Sequence, residues 1–375
     1  MTMTDFSRAE LARAHGPILG HARYRVRPED FCVDEELPFV PDGIGEHLLV
    51  QVEKRGNNTS WVGQRLSQFA GIHPRLVSFS GRKDRHAVTR QWFSLQLTGK
   101  ADPDFSQLSE PGVRVLASYR HGRKLRTGTH RINRFVLVLR DIAAERAVVD
   151  ARLALIATAG VPNYFGDQRF GAHLAGAEGG TLAMAREAVA TGRLPQRPER
   201  RGLVISVLRS AIFNAVLNAR VRNGSWNQVL PGELVMLDGA NGRWFAEDGD
   251  LALAARCAVQ DVHPGGPLAG AGGTQPTGAA YELEAQVMAG YDDWLAALVR
   301  WRVESGRRAL RSRVLDLAHE WLEPGVLRLS FGLWRGSFAT VVLREIFAAQ
   351  DAAADNHSDD NASSNSGPSD DNSDD

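Results

Sequence analysis

The stretch Leu76-Val-Ser-Phe-Ser-Gly-Arg-Lys-Asp-Arg-His-Ala-Val-Thr-Arg-Gln-Trp-Phe-Ser-Leu-Gln-Leu-Thr98 divides into three parts. Leu76 to Phe79 reads as a short strand that stops at Ser80-Gly81. From Gln91 to Thr98 the residues alternate, with Phe93, Leu95 and Leu97 on one face, as a half-buried strand requires. What lies between them is therefore a connection, and connections of this kind carry function. It holds one carboxylate, Asp84, among Arg82, Lys83, Arg85 and Arg90. Cations nearby favour the ionised form, so Asp84 reads as a nucleophile or base and not as a proton donor.

Outward from this connection the first 140 residues are mostly extended. Phe31 to Glu35 and His47 to Glu53 are rich in β-formers, Val113 to Tyr119 continues the pattern, and Arg134-Phe-Val-Leu-Val-Leu-Arg140 has the near-continuous hydrophobicity of a buried strand. A helix interrupts them, capped at Thr59 or Ser60, with Val62, Leu66, Phe69 and Ala70 on one face and Gly71 as its stop. Ala143 to Ala159 is predicted as a helix closed by Gly160. From Val161 to about Ser312 the character shifts to helices and glycine-rich loops, including an amphipathic helix over Val204 to Asn223 and a loop over Gly265 to Gly278. Strand character returns at Val326 to Phe331, and Ser337 is expected to cap a last helix over Phe338 to Ala349. The pattern predicts an α/β (α+β) chain: a mixed-sheet domain interrupted by a mostly helical inserted domain.

Charge is unevenly placed. The chain carries 44 Lys and Arg against 44 Asp and Glu, yet Asp351 to Asp375 holds eight Asp and no Lys or Arg. With those eight set aside, 44 basic residues face 36 acidic ones. Between Arg82 and Arg140 there are 13 Lys and Arg but only four Asp and Glu. A basic face of that kind attracts an anionic polymer. The densest part, Arg120, His121, Arg123, Lys124, Arg126, His130 and Arg131, is expected to stay outside, and Lys124, Arg126 and Arg131, with Lys83, are the expected phosphate contacts. The tail from Asp351 has too little apolar surface to fold. Cys32 and Cys257 are isolated, which argues against a zinc site and a disulfide framework. No export signal is evident and no run reaches 18 consecutive apolar residues, so a cytoplasmic protein without a membrane span is expected.

Four strings, taken in order, give the chain a resemblance. Gly81-x-Lys83-Asp84-x-x-Ala87-x-Thr89-x-Gln91, Asn133-x-Phe135, Val161-Pro-Asn-Tyr-Phe-Gly166 followed by Gln168-Arg-Phe-Gly171, and Gly336-Ser-Phe-Ala-Thr340 resemble the TruD family of tRNA pseudouridine synthases, over about Arg23 to Ile346. The resemblance implies a catalytic domain of the pseudouridine synthase fold in two parts, residues 1–158 and 313–350, around a TruD-specific insertion at 159–312, with an acidic tail at 351–375. It implies an isomerase that converts a uridine of tRNA to pseudouridine, uridine 13 in the D arm, without cofactor or metal; nothing in the sequence resembles a coiled coil or a dimer seam, so a monomer is expected.

Carried over by position, the family's catalytic aspartate falls on Asp84, and Arg25 on a basic residue able to pair with it. A uridine must be flipped out to react, and flipped bases are held by stacking and edge hydrogen bonds. The resemblance puts Phe31, Asn133 and Phe338 at substrate-contacting positions, with Phe135 a further stacking candidate. A Phe on a strand is core more often than not, Asn133 before a strand can be a turn residue, and Arg25 can be a surface cation on a strand. Asn163 to Gly171 reads equally as an RNA contact or a domain junction. The competing class is an RNA-binding or RNA-chaperone module on the same scaffold, catalytically idle.

Overall fold

Apolar side chains alternate along His47–Arg55, and burying them decides the arrangement of the sheet. The molecule is described by a computed structural model over residues 11–166, 169–170, 180–240, 243–245 and 251–354. Its chain divides into two compact units. One, the sheet unit, comprises Gly20–Ala143, Ala318–Ser330 and Ala349–Asp375; the other comprises Met1–Leu19, Ala144–Leu317 and Phe331–Ala348. Boundaries between the units lie at 143/144 and 317/318, and residues 331–348 cluster with the second unit.

In the sheet unit, β1 (His21–Tyr24), β2 (Phe31–Glu36) and β3 (His47–Arg55) precede α1 (Thr59–Phe69), and β4 (Val77–Phe79), β5 (Val88–Gln96), β6 (Val113–His121) and β7 (Ile132–Leu139) follow it. β5 pairs antiparallel with β3, from His47 opposite Gln96 to Arg55 opposite Val88. Along its first residues β5 also pairs parallel with β2, Cys32 opposite Val88 and Asp34 opposite Arg90. β7 runs antiparallel to β2, with Phe31 opposite Leu137 and Glu35 opposite Asn133. Leu48, Val50 and Val52 of β3 and Phe93 and Leu95 of β5 pack with Leu97 beneath Val62 and Leu66 of α1. Full burial of a Val or Leu stabilises by about 1.5–3 kcal/mol, so α1 is held by its inner face. On the other face Leu49 and Trp92 meet Leu125.

The second unit contains α2 (Arg146–Ala159), β8 (Val161–Pro162), α3 (Thr181–Thr191) and α4 (Pro198–Arg222). Next come β9 (Leu234–Leu237), β10 (Arg243–Phe245), α5 (Leu251–Ala258), β11 (Val262–Leu268), α6 (Gly278–Met288), α7 (Asp292–Arg300), β12 (Gly306–Ala309) and β13 (Arg311–Ser312). Four of these strands form an antiparallel sheet in the order β10-β9-β11-β12, which the helical reading of this region did not anticipate. The expected loop at Gly265 to Gly278 begins inside β11. A Cβ on Gly265 would stand 2.4 Å from the Leu234 carbonyl oxygen, and one on Gly266 would stand 2.5 Å from Leu310 Cδ2. Glycine serves close packing here, not a turn.

α4 has 25 residues and an 18-residue window of mean hydropathy 1.5, long and apolar enough to cross a membrane. Its Val204, Val207, Leu208, Ala211 and Ile212 instead fill the unit's core. Near its end Arg220, almost wholly enclosed, is 3.0 Å from Glu233.

β14 (Leu315–Glu323) and β15 (Val326–Trp334) extend the large sheet, whose order is β14-β15-β7-β2-β5-β3-β6 with β4 on β5. The last helix, α8 (Ala339–Arg344), is shorter than expected, Phe338 and not Ser337 is its N-cap residue, and Ala348–Asp351 forms β16 beside β1. Asp351 is therefore the last residue of a strand rather than the first of a tail; residues 355–375 lie outside the described residues.

Candidate active site

Strand register explains why Asp84 has the neighbours it has. Because β2 and β5 are parallel, the segments entering them lie at one end of the sheet, and these carry Arg25 and Asp84. β3 is antiparallel to β5, so its last residues reach the same end; Lys54 stands opposite Thr89.

The connection itself is braced through its backbone. Thr59 at the start of α1 accepts from the Lys83 amide at 3.0 Å and donates to Gln91 Oε1 at 2.9 Å, while Gln91 Nε2 donates to the Gly81 carbonyl at 3.3 Å. The buried Lys54 ammonium donates to the Asp84 carbonyl at 2.7 Å. Burial, more than anything else, brings the Lys54 pKa down to about 8, against the pull of Asp84 and with the help of Lys83. Three of these hydrogen bonds hold the backbone of the connection, the fourth ties two of its anchors together, and none uses the carboxylate. The Asp84 side chain is 45 % exposed, and its Oδ2 stands 3.7 Å from Arg25 Nη1.

Arg25 is held tightly. Its side chain is 8 % exposed, its guanidinium carbon lies 5.1 Å from the centre of the Tyr24 ring and 5.3 Å from that of Phe31, and its backbone is left-handed at φ 57°. A non-glycine residue keeps such a backbone only where its surroundings over-determine it. Nε donates to Asp351 Oδ1 at 3.0 Å and Nη2 donates to Asp351 Oδ2. Burial works against the charge, but Asp351 first and Asp84 second raise the Arg25 pKa above its ordinary value.

The cations adjacent to Asp84 in sequence mostly turn elsewhere. Arg90 pairs with Asp34 at 3.2 Å and Glu53 at 2.8 Å, and Arg85 donates to the Gly56 carbonyl at 3.0 Å. Lys83, expected on the RNA backbone, has a side chain 8 % exposed, with the ammonium 2.7 Å from the fully buried Glu35 and donating to Asn133 Oδ1 at 2.8 Å. Glu35 Oε2 also accepts from the Trp92 amide at 3.0 Å. A buried carboxylate on β2 draws the lysine inward because an unpaired charge there would be costly.

Asn133 is partly exposed, and besides Lys83 its amide nitrogen is 3.3 Å from His130 Nε2. A lone pair and an N–H of the amide are left for a ligand. His130, placed by sequence in the outward basic loop, is buried. Phe31 and Phe135 are both buried and meet edge to face with ring centres 6.1 Å apart, so their rings are enclosed in the sheet unit. Lys124, Arg126 and Arg131 are exposed.

Phe338 belongs to the second unit, where it packs against Leu11, Tyr164, Phe165, Phe213, Leu217 and Leu310. In that unit Arg308 donates to Asn163 Oδ1 at 2.6 Å and to the Gly336 carbonyl at 2.9 Å, with its guanidinium carbon 4.2 Å from the Phe165 ring centre. Asn163 and Phe165 of one string are thereby joined to Gly336 of another within a single packed cluster. Gln168 and Gly171 lie outside the described residues. Among those described, no three of His, Cys, Asp and Glu converge as a metal site.

Lys54 and Asp351 escaped sequence reasoning. A lysine inside an otherwise buried strand is a detectable signal for the first. The second lies 326 residues from its partner.

The fold matches a TruD crystal structure from Methanosarcina mazei with a TM-score of 0.65 at 20 % identity, covering 93 % of this chain and 97 % of that one. The chain thus shares the fold of that structure, and the exposed aspartate stands at one end of its sheet. The family model for tRNA pseudouridine synthase D (TruD) matches residues 17–178 and 183–346. Among relatives of the chain, tRNA pseudouridine synthase D of Hydrogenovibrio crunogenus is 41 % identical over 343 residues, covering 91 % of this chain and 97 % of the relative. The Pseudomonas aeruginosa protein of the same name is 44 % identical over 338 residues, with 89 % and 92 % covered. The chain belongs to the tRNA pseudouridine synthase D family.

Proposed function

We propose that this protein isomerises uridine 13 in the D arm of tRNA to pseudouridine, with Asp84 as the reacting carboxylate. In that reaction the bond from the sugar C1′ to uracil N1 breaks, a bond from C1′ to C5 forms, the hydrogen on C5 leaves as a proton, and N1 takes one up. Asp84 either adds covalently to the nucleotide or removes a proton from the sugar; both routes need an ionised carboxylate with an oxygen free to react. The observation that carries the reading is the state of Asp84: fastened through its backbone to Lys54 at 2.7 Å, beside Arg25 at 3.7 Å, with its carboxylate 45 % exposed. Asn133, oriented by Lys83 and His130, offers an edge contact to the uracil. Phe31 and Phe135 back the site from inside the sheet unit, and Lys124, Arg126 and Arg131 take phosphates. The protein acts as a monomer without cofactor or metal, in the cytoplasm.

Tritium release tests this. Unmodified tRNA labelled at uridine C5 should lose label with the wild type and not with Asp84→Asn, while both bind it. A tRNA carrying cytidine at position 13 should lose none. Binding without release by the wild type would instead favour the idle RNA-binding module, and release from the cytidine-13 tRNA would move the target elsewhere.

A further inference from the structure

Arg25 faces two carboxylates and treats them differently. Asp351 receives two of its donors, Nε at 3.0 Å and Nη2, in the fork geometry that guanidinium groups use for carboxylates. Asp84 receives none: 3.7 Å from Nη1 is close enough for charge to be felt and too long for a hydrogen bond. The difference in exposure runs the same way, 17 % for the Asp351 side chain against 45 % for Asp84. Asp351 is itself fixed, since its Oδ1 also accepts from the Ala353 amide at 3.2 Å and its strand lies beside β1, which leads directly into Arg25.

We infer that Asp351 is a positioning residue for Asp84, acting through Arg25: by occupying the guanidinium fork it keeps a positive charge beside Asp84 without letting that charge bond the oxygens that must react. An arginine lacking this anchor has two courses open to it. It can close its fork on Asp84, tying up both oxygens, or swing away and remove the charge. Either lowers turnover. Affinity for tRNA, set largely by phosphate contacts, is untouched. The inference rests on Asp84 being the reacting carboxylate.

The test uses the full chain and C5-tritiated tRNA, measuring kcat, KM, tRNA affinity and thermal melting for wild type, D351A, D351N, D351E, R25A and R25A/D351A. D351A should lower kcat by roughly 10- to 100-fold, the scale of a small misplacement at a reacting centre, with KM and affinity within about twofold. D351N, close in shape but uncharged, should also be slow while melting as the wild type does. D351E should recover part of the rate, and R25A/D351A should be no slower than R25A. A wild-type kcat in D351A or D351N would overturn the inference, as would losses from R25A and D351A that multiply in the double variant. If D351A does not fold, D351N and D351E decide. A wild type that releases no label from tRNA is a different failure: it removes the proposed reaction first, and this inference with it.

Discussion

The buried ammonium of Lys54 grips Asp84 by its main-chain carbonyl, at 2.7 Å, and not by its carboxylate. The choice of atom matters because a lysine bonded to the carboxylate would block the group it steadies. It also leaves a charge inside the protein, with consequences for stability as well as for activity.

With its pKa brought down to about 8 by burial, Lys54 releases its proton in the folded state well before it does so in the unfolded chain. Between about pH 8 and the ordinary lysine value near 10.4 the unfolded state therefore binds more protons, and this group makes stability rise with pH through that window. Its contribution is fully present above the unfolded value and is lost as pH falls through about 8. Urea unfolding of the wild type and Lys54→Met at several pH values should show a shallower rise over this window in the variant.

Glu35 and Lys83 should show the asymmetry of a buried ion pair. Glu35→Ala strands the Lys83 ammonium and the Trp92 amide, at a cost of about 3–5 kcal/mol, whereas a double change to Glu35→Gln and Lys83→Met should recover much of that loss. Urea midpoints of the single and double variants measure it. Stability equal to wild type in Glu35→Ala would mean that the pair is not formed in solution.

Lys124, Arg126 and Arg131 should behave in the opposite way. Replacing each by Ala should weaken tRNA binding, flatten the dependence of log K on log salt by about 0.7–0.9 for each phosphate that is no longer neutralised, and leave melting nearly unchanged. Filter binding across a salt series is the measurement, and Lys83→Met is its control. An unchanged slope in the triple variant would place the tRNA on another face.

Gly265→Ala and Gly266→Ala should each destabilise the second unit by about 1–3 kcal/mol, since the added methyl group meets the Leu234 carbonyl or the Leu310 and Phe213 side chains. Gly202→Ala, in α4 with open space around the position, serves as the control. Calorimetry of the three variants separates crowding from a general intolerance of glycine replacement.

How far the sequence could be read depended on whether the signal was periodic or spatial. Phe93, Leu95 and Leu97 share a face because a strand alternates, so β5, its neighbours and the Asp84 connection were legible from residue order. Lys83 was not. It looks like its basic neighbours on paper, and only the pairing of Glu35 with Asn133 across β2 and β7 creates the acidic pocket that turns it inward. Gly265 and Gly266 carry the composition of a loop, and their use as spacers in a sheet depends on how near Leu234 and Leu310 come. The last helix ended early because Ala348–Asp351 joins β1, a pairing between opposite ends of the chain that no local pattern announces. Of the basic setting around Asp84 that the sequence suggested, Lys83 and Arg90 are spent on Glu35, Asp34 and Glu53 and Arg85 on the Gly56 carbonyl, and the cations that do attend it come from Arg25 and Lys54.

The 326 residues separating Arg25 from Asp351 bear on when the protein can work. A chain still emerging from the ribosome carries Asp84, its loop and Arg25 long before it carries the carboxylate that restrains the guanidinium. Until β16 is translated and laid beside β1, the nascent polypeptide has the proposed reacting group but not the carboxylate that occupies the Arg25 fork.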